Sequence, residues 1–463
     1  MRQFFILFYC FFSLYSGAQT PEDKEFTYNE FLGFVKKYHP LVRNANLEIA
    51  AAQANLMMAR GAFDPKIEVD FDKKQFKNKE YYSLLNSSFK IPTWYGIEVK
   101  AGFDNAEGVY VSPENVTPNS GLTSLGISVP VGQGLFINQR MADLQKAKIN
   151  ITLGKQLQKL EAIEVLYDAS IAYFNWKKTT DEVKLYENYN TNAEIRFEGI
   201  KKLIAQGDKP AIDSVEAGIV VKNRKLSLED ATLKLVKAKL ELSNFLWSEN
   251  NIPLEISDLL LPEKMLEKTI QETIRTNDLL LSGSNIINHP KMISLQNKID
   301  MLDIDRKFKE NMLLPKLNVS YNYLSEPAYF NNFRTKDYKI GVNFYLPIFL
   351  RKERGALLLS KIKLQESKSI FQVEKMQLSN KINAQKIEIS SLERQRILVF
   401  GLTKDNQTML NSEERLFSFG ESSLFLINTR ENNLVAAQLA QIALDNRYFA
   451  SNATLFKIMT NPD

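Results

Sequence analysis

The chain has 463 residues, of which 24% are charged and 44% are hydrophobic, and its formal net charge at pH 7 is +5. This composition excludes an intrinsically disordered chain. It also excludes a bundle of transmembrane helices, because no stretch beyond the N-terminus approaches the roughly 20 apolar residues that span a bilayer. Two histidines and one cysteine argue against a zinc site, and the small net charge does not point to nucleic acid. With 19 glycines and 15 prolines, the sequence predicts long regular elements with few turns.

The N-terminus has the pattern of a secretory signal peptide. Arg2 precedes the apolar run Phe4–Tyr15, and small residues lead to Ala18. We predict a signal peptide at 1–18 that is cleaved after Ala18; a membrane anchor is the alternative, but the run is too short to span a bilayer. Cys10 follows large residues rather than the small ones of a lipoprotein signal, so we do not expect lipidation. The mature chain is then exported and free of cysteine, and it must be stable without disulfides.

The sequence is an internal duplication. His39-Pro40 recurs as His289-Pro290, and the segment Pro65–Phe71 recurs as Pro315–Tyr321, both at an offset of 250 residues. A repeat of this length is too long for a solenoid, so we predict one protomer with two structural repeats. Later matches drift in offset: Val129-Pro130 corresponds to Leu346-Pro347, Arg196-Phe197 to Arg415-Leu416, and Gly207-Asp208 to Gly420-Glu421.

Each repeat carries the same elements in the same order. A helix begins at Pro40 or Pro290, with proline at a first-turn position. Strands follow, and then a helix without proline, predicted at Gln139–Gln206 and Lys352–Phe419, each on the order of 100 Å long at ~1.5 Å per residue. A glycine turn leads from each long helix into a returning helix. The predicted first repeat is 19–262, with strands in 65–131 and a helical hairpin at 136–247; the second is 263–463, with strands in 315–347 and a helical hairpin at 352–458.

The predicted strands alternate apolar and polar residues with a period of two. Ile67, Val69 and Phe71 alternate with acidic residues, and similar runs give four strands in the first repeat and two in the second. Alternation alone fits a half-buried sheet of a soluble protein as well as a membrane barrel; export and the long helices favour the barrel. Six strands cannot close a membrane barrel, since the smallest have about eight, and open edges are not tolerated in lipid. The chain must then oligomerise, and the hairpin Tyr82–Phe103 lies either in the barrel wall or over its mouth.

The expected fold class is α+β, mainly α, with a duplicated protomer of long antiparallel coiled-coil helices and transmembrane β-strands. The sequence resembles the TolC-type outer-membrane efflux protein family over about Phe26–Phe456. The resemblance implies a homotrimer whose shared barrel is continuous with an α-helical periplasmic tunnel. The features that carry it are the duplicated half, the two His-Pro pairs, the two Pro-Lys strand starts, and Pro130 and Pro347 followed by Arg140 and Arg354 at the long helices.

The resemblance also implies a function. Members of this family are exit ducts in the bacterial outer membrane, in contact with its lipid. They export drugs, metals, dyes or proteins together with a periplasmic adaptor (membrane fusion) protein and an inner-membrane transporter. Since the family catalyses no reaction, we predict no catalytic, cofactor-binding or metal-binding residue, and no nucleic-acid partner.

A gate at the periplasmic tip is a further implication of the resemblance. Family members often carry aspartates six and nine residues after the tip glycine of the second repeat, where this chain has Leu426 and Thr429. The matching positions of the first repeat hold Asp213 and Glu216, which share a helix face. We predict that any acidic selectivity ring is built from this pair; a solvated helix start, favoured by the helix dipole, is the alternative. The family's tip arginine is replaced by Ser422, which leaves the hydrogen bonding of the gate open.

Other residues are expected to have structural or contact roles. His39 and His289 are predicted to cap or pack at helix starts. The aromatic cluster of Tyr173, Phe174 and Trp176 is predicted to pack rather than to bind a ligand. The tip residues Gly207, Asp208, Gly420 and Glu421 are candidate adaptor contacts by position, and Trp94, Tyr95, Tyr110, Tyr321 and Tyr323 are candidates for an aromatic girdle at the membrane interface.

Two other functional classes are open at this point. An outer-membrane structural or adhesion protein with a coiled-coil stalk needs neither the duplication nor strands in the middle of each repeat. A secreted enzyme would need a nucleophile elbow, a metal-ligand cluster or a phosphate loop, and the sequence contains none of these patterns. Within the duct hypothesis, four strands per chain would give a trimer of twelve, the family's usual number, and six would give eighteen and a wider pore. Small-molecule efflux and type I protein secretion fit the sequence equally well.

Overall fold

The computed structural model describes residues 24–274, 280, 286–329 and 334–459. The predicted signal peptide and Cys10 lie outside these residues. The described helices are α1 (Tyr28–Tyr38), α2 (Pro40–Gly61), α3 (Gln139–Ala205), α4 (Ile212–Ser243), α5 (Leu266–Ile274), α6 (Pro290–Asn311), α7 (Arg351–Ser418) and α8 (Leu424–Met459). The described strands are β1 (Lys24–Phe26), β2 (Lys66–Phe76), β3 (Lys79–Pro92), β4 (Glu98–Glu107), β5 (Leu122–Pro130), β6 (Leu260–Pro262), β7 (Lys316–Ser325) and β8 (Tyr338–Tyr345).

The long helices α3 and α7 contain 67 and 68 residues, and each is followed by a returning helix. Both run without proline, and proline is the residue that most strongly breaks a helix. None of the described helices is both long and apolar enough to span a bilayer. The chain forms two compact units, which we describe in turn.

The first unit combines the described parts of Met1–Asn44, Glu161–Ser284 and Ser379–Asp463. Its main core is aromatic and lies where α1 and α5 pack against the long helices, around the fully buried Trp176, Tyr28 and Phe31. Two small elements, β1 and β6, pair in parallel beside this core. Sequence analysis did not predict β1, β6, α1 or α5. Strands β1 and β6 have three residues each and are too short to show a repeating pattern. Helix α1 does carry a signal, because its buried residues Tyr28, Phe31 and Val35 have helical spacing and Thr27 and Glu30 form a capping box.

The second unit combines Ala45–Leu160 with the described parts of Asn285–Leu378. It contains one antiparallel sheet of six strands in the order β2-β3-β4-β5-β7-β8. Strands β2 and β3 are joined by Lys77 and Asn78, which have φ values of 50° and 56°. Two positive φ values in a two-residue loop are the geometry that matches the twist of a tight hairpin.

The position of the Tyr82–Phe103 segment, which the sequence left open, is resolved within the sheet. Strand β3 pairs with β2 from Lys90 to Lys79 and with β4 from Ser83 to Pro92. Strand β4 in turn pairs with β5. The extra hairpin is therefore continuous with the rest of the sheet and does not fold back across it.

Candidate functional site

The turn between α3 and α4 is the first of the two predicted tips. Gly207 has a φ of +86°, in the left-handed region where glycine has no steric penalty. The Asp208 amide donates to the Leu203 carbonyl at 2.9 Å, and the Gly207 amide donates to the Ile204 carbonyl at 3.0 Å. This pair of bonds is a Schellman motif, which satisfies the last carbonyl groups of the helix.

The turn between α7 and α8 repeats this geometry. Gly420 has a φ of +79°. The Glu421 amide donates to the Leu416 carbonyl at 2.9 Å, and the Gly420 amide donates to the Phe417 carbonyl at 3.0 Å. A Cβ added at Gly207 or Gly420 would meet no heavy atom within 4 Å. Glycine is therefore required at both tips by the backbone angle alone, and the two repeats end their long helices in the same way.

Asp213 and Glu216 lie in the first turns of α4, immediately after the first tip. Both side chains are half-buried. The Glu216 carboxylate accepts a hydrogen bond of 3.0 Å from the Asn428 side-chain amide on α8. Among the described residues, the Asp213 carboxylate has no hydrogen-bond or ion-pair partner. One member of the predicted pair is thus tied to the second repeat, while the other is free to act on its surroundings through its charge.

Leu426 and Thr429 occupy the second-repeat positions of the predicted gate, at the start of α8. The Leu426 side chain is 39% exposed. The Thr429 hydroxyl donates to the Phe425 carbonyl at 2.8 Å, so its polarity is satisfied within its own helix. These two side chains carry no charge to the tip, whereas their neighbour Asn428 reaches the acidic residue of the first repeat.

Ser422, which stands where the resembling family has an arginine, is hydrogen-bonded. Its hydroxyl donates to the carboxylate of Glu413, which lies nine residues earlier in the chain, near the end of α7. The guanidinium of Arg430 on α8 approaches the same carboxylate, with Nε 3.5 Å from Oε2. The carboxylate of Glu413 is mostly buried, so it is held by a hydroxyl and a cation from the segment beyond the tip.

A buried ion cluster links four helices behind the tips, and sequence analysis did not predict it. Glu431 on α8 is only 2% exposed, and its carboxylate lies 2.7 Å from Arg196 on α3 and 3.2 Å from Arg224 on α4. Arg224 also donates to the Asn432 side chain at 2.7 Å. Arg196 lies 3.4 Å from Glu414 on α7. In the sequence Arg196 marks a repeat, but no spacing along the chain relates it to a glutamate 235 residues away.

Apolar layers lie on either side of this cluster. Toward the tips, Ile200, Ala217 and Leu424 form a buried group against which Phe197, Ile204 and Phe417 pack. Farther along the helices, Tyr189 packs with side chains of α7 and α8, and its hydroxyl donates to Gln438 at 2.7 Å. Burial raises the pKa of Tyr189 to about 12. The first-repeat and second-repeat hairpins therefore form one packed bundle at their tips.

A second charged centre surrounds Arg396 on α7. Its guanidinium lies 2.9 Å from Glu267 on α5 and 2.6 Å from Asp445 on α8, and it lies over the Tyr448 ring at 4.4 Å. The hydrogen bond from Arg396 holds the pKa of the Glu267 carboxyl below its usual range. These side chains line a cavity of about 520 Å³, where Lys177 also pairs with Asp181 on the neighbouring turn. The lining also includes Lys178, Lys264 and Lys268, so five basic side chains face three acidic ones and the cavity wall has an excess of positive charge.

The predicted packing of the aromatic cluster is confirmed. Tyr173, Phe174 and Trp176 are all buried in the main core of the first unit, with Tyr173 and Trp176 in edge contact at 5.5 Å. Tyr173 also donates to the Phe26 carbonyl at 2.6 Å, which fixes β1 beside the core. All three side chains are at most 1% exposed, so their role is packing in this core, although Phe174 also borders the cavity beside Arg396.

The two histidines take the predicted roles. His39 is buried and stacks on Phe245 with ring centroids 5.8 Å apart. His289 is the N-cap of α6, and its Nδ1 accepts from the Lys291 amide at 3.2 Å. Desolvation lowers the pKa of both imidazoles. Within the described part of the chain, no group of three or more His, Cys, Asp or Glu side chains could hold a metal ion.

The candidate girdle residues are spread along the sheet. Trp94 stacks on Phe63 at 5.7 Å beside the turn between β3 and β4. Tyr110 packs on Tyr81 at 4.9 Å, near the opposite ends of these strands. Tyr321 stacks on Tyr338, and Tyr323 is buried, while Tyr95 is exposed. Two aromatic groups thus lie at opposite ends of the strands, as an aromatic girdle would require.

Comparison with solved structures shows the same fold in several outer-membrane proteins. The outer membrane channel CmeC of Campylobacter jejuni matches with a TM-score of 0.65 and 13% identity over 93% of this chain and 85% of that chain. The outer membrane channel MtrE of Neisseria gonorrhoeae matches with a TM-score of 0.65 and 10% identity, over 95% and 89%. The outer membrane protein VceC of Vibrio cholerae matches with a TM-score of 0.65 and 12% identity, over 93% and 95%.

These likenesses extend over nearly the whole chain and confirm the predicted mainly helical fold with its sheet. In sequence, no family model matches the chain, and no curated protein matches it. The neighbours named above are channels or membrane proteins rather than enzymes. At identities this low, the comparison establishes the fold, and function must be argued from the chain itself.

Proposed function

We propose that the protein is an outer-membrane exit duct of a tripartite efflux or type I secretion system and that it works as a homotrimer. The observation that carries the proposal is that the apolar side chains of the two outer strands, β2 and β8, are exposed. In β2, Ile67 is 76% exposed, and in β8, Ile340 is 57% exposed. Both strands have a sheet neighbour on one side only. A sheet with long apolar edges is a liability in water and in lipid, so neighbouring copies must complete it.

The shared fold of the outer-membrane channels supports this proposal. In the proposed assembly, the sheets of three copies form one barrel, and the two helical hairpins of each copy form the wall of a periplasmic tunnel. The predicted signal peptide supplies export to the outer membrane. The duct itself catalyses no reaction, and the energy for transport comes from an inner-membrane transporter linked through a periplasmic adaptor.

Reconstitution tests the proposal against the adhesion alternative. Protein purified from outer membranes should run as a heat-dissociable trimer and should give discrete conductance steps in planar lipid bilayers. N-terminal sequencing of this material should begin at Gln19. A stable membrane protein that never conducts, even after the tip is loosened by Glu431→Gln, would instead favour a structural or adhesion role.

We infer that the tips form the gate and contact the adaptor. Asp213 and Glu216 supply the acidic ring, and the Schellman turns around Gly207 and Gly420 present Asp208 and Glu421 at the extreme end of the hairpins. Three copies bring six carboxylates to one ring if the first turns of α4 face the axis. Leu426 and Thr429 then line the gate without charge.

Charge reversal tests the ring. The double variant Asp213→Lys and Glu216→Lys should lower the cation selectivity of single channels, because six acids become six bases. Asp230→Lys, an exposed site farther along α4, is the matched control. Unchanged selectivity of the double variant would return Asp213 and Glu216 to the role of a solvated helix start.

A further inference from the structure

The sheet of the second unit ends in two strands of opposite direction. Strand β2 leads away from the end of α2, and β8 leads into α7. Because the six strands are all antiparallel and even in number, β8 of one copy and β2 of the next also meet antiparallel. An odd number would make this join parallel and break the pattern of the sheet. The edges of the sheet are thus complementary to each other in a ring of copies.

The pairing between the two repeats inside one chain is a template for the pairing between neighbouring copies. Strand β5 ends the strands of the first repeat, β7 begins those of the second, and they pair directly. Duplication relates β7 to β2 through Pro315-Lys316 and Pro65-Lys66, and it relates β8 to β5 through Leu346-Pro347 and Val129-Pro130. In the β5–β7 pairing, the last strand of the first repeat meets the first strand of the second repeat. Pairing of β8 with the next copy's β2 is the same contact with the two repeats exchanged.

The register of the internal join can be carried over residue by residue. In the chain, Ser128 lies opposite Ser320, and Ile127 lies opposite Tyr321. The equivalent of Ser128 is Tyr345 and that of Ile127 is Phe344, each the same number of residues before its matched proline. The equivalents of Ser320 and Tyr321, 250 residues earlier, are Asp70 and Phe71.

We propose that β8 of each copy pairs with β2 of the next with Tyr345 opposite Asp70 and Phe344 opposite Phe71, and that three copies close a barrel of eighteen strands. The inference deepens the proposed function and rests on its homotrimer. The strand number follows from the sheet of six, in which β3 and β4 are paired along their length.

The pattern of side chains supports this register. At the internal join, Ile127 and Tyr321 share the apolar face, and Ser128 and Ser320 share the polar face. At the proposed join, Phe344 and Phe71 likewise meet on the apolar face. Tyr345 and Asp70 meet on the polar face. Asn343 and Asp72, the repeat equivalents of Gly126 and Asn322, meet on the same face. A slip by one residue would place every apolar side chain of one strand opposite a polar side chain of the other.

Eighteen strands imply a wide exit. With strands about 4.8 Å apart and tilted by about 40°, a barrel of eighteen has a backbone diameter of about 36 Å, against about 24 Å for twelve. Barrels of 16 to 18 strands leave an aqueous channel even after side chains fill part of the lumen. The duct is therefore open to bulky or partly folded substrates at its outer end, and selection must occur elsewhere, such as at the tips.

Disulfide trapping tests the register. Cys10 is the only cysteine and lies in the predicted signal peptide, so the mature wild-type chain is already a cysteine-free background. Adding Asp70→Cys and Tyr345→Cys, which lie on the polar face within reach of a water-soluble oxidant, should convert the protein into covalent trimers on non-reducing gels after boiling. Matched controls pair Asp70→Cys with Phe344→Cys or Leu346→Cys, whose side chains point to the other face. Trapping in the controls but not in the proposed pair would overturn the register.

Direct imaging tests the strand number. Electron cryo-microscopy of the wild-type protein in lipid nanodiscs should show eighteen strands in cross-section. Twelve strands, with β3 and β4 outside the wall, would overturn the proposed barrel while leaving the duct intact. Trimers that conduct but do not trap at Asp70 and Tyr345 would overturn the register alone. Absence of trimers and of conductance would instead contradict the proposed function on which both rest.

Discussion

Glu431 is the side chain whose replacement should loosen the tip bundle most selectively. Its carboxylate is almost fully buried and lies within 3.2 Å of Arg196 and Arg224. Glu431→Gln keeps the shape but removes the charge, which leaves two mostly buried guanidinium groups without their common counterion. Removing one partner of a buried ion pair destabilises proteins by about 3–5 kcal/mol. We take the lower end, about 3 kcal/mol, because Arg196 retains its contact with Glu414.

Hydrogen exchange at the two tips measures this effect in the assembled protein. A loss of about 3 kcal/mol in local opening free energy should speed exchange of amides near Glu431 in α8, and of those facing it in α3 and α4, by about 100-fold. Amides of the β5–β7 join in the second unit should exchange at the wild-type rate. Glu414→Gln is the matched control, since its exposed pair is worth at most about 1 kcal/mol.

Removing the two arginine charges together with the glutamate charge should restore the protection of the tip amides. Replacing all three charges, with Glu431→Leu, Arg196→Leu and Arg224→Met, should restore most of the protection. Apolar side chains of similar volume replace buried ion clusters at little cost. Equal exchange in wild type and Glu431→Gln would refute the assignment of the cluster as a clamp. A triple variant that is no better than Glu431→Gln would show that packing, not charge, is responsible.

Three further perturbations probe the rest of the molecule. Gly207→Ala should lower the midpoint of heat dissociation, at a cost of about 1 kcal/mol, because its φ of +86° is unfavourable for alanine. Gly199→Ala, inside α3 with free space around it, should raise the midpoint slightly. Trp176→Ala should destabilise the first unit by about 3–5 kcal/mol in urea unfolding followed by circular dichroism, while Ile195→Ala on the same helix, exposed in one chain, should cost far less. Burial lowers the pKa of His289, so the unfolded chain takes up the proton first as the pH falls. The free energy of unfolding should therefore decrease as the pH drops below about 6.5. His289→Asn, which keeps a capping side chain, should reduce this pH dependence.

Each of these three predictions has its own refuting result. Equal effects of the two glycine substitutions would show that the backbone angle at the tip is not the constraint. A mild Trp176→Ala effect would mean that the main core can collapse around the void. An unchanged pH slope in His289→Asn would assign the acid sensitivity to other groups, and His39 would be the next side chain to replace.

The long elements could be predicted from sequence because each is governed by local rules that act at every residue. Absence of proline set the extent of α3 and α7, whose observed bounds differ from the predicted ones by a single residue at most. A positive φ at Gly207 and Gly420 follows from the need to reverse a helix with few residues. Alternation of period two marked five of the six strands of the sheet, because one face of each differs from the other; β3 was predicted only as a strand-like run.

Contacts between distant segments could not be read in the same way. The ion cluster joins Arg196 to Glu431, and the Arg396 centre joins α7 to Glu267; neither pair has a spacing that a helix or strand would impose. The sequence predicted strand-like runs at β3 and β4, but it carried no information on which strands they pair with. Only the hydrogen-bonded ladders, from Lys66 opposite Lys90 onward, put that hairpin into the sheet.

At the tips of this duplicated chain, charged groups are supplied from other sequence positions than the resemblance predicts. Ser422 stands where the resembling family has an arginine, yet a guanidinium still approaches the nearby acid, because Arg430 reaches Glu413 from the second turn of α8. Where the resembling family has acids after the second tip, this chain has Leu426 and Thr429, whereas Asp213 and Glu216 follow the first tip and Glu216 accepts a hydrogen bond from Asn428 on α8. Asp213 lacks such a bond among the described residues, so Asp213→Lys alone changes the local field without disturbing helix packing. A selectivity change in this single variant therefore reports on electrostatics at the gate, whereas a change seen only with Glu216→Lys reports on the contact between the repeats.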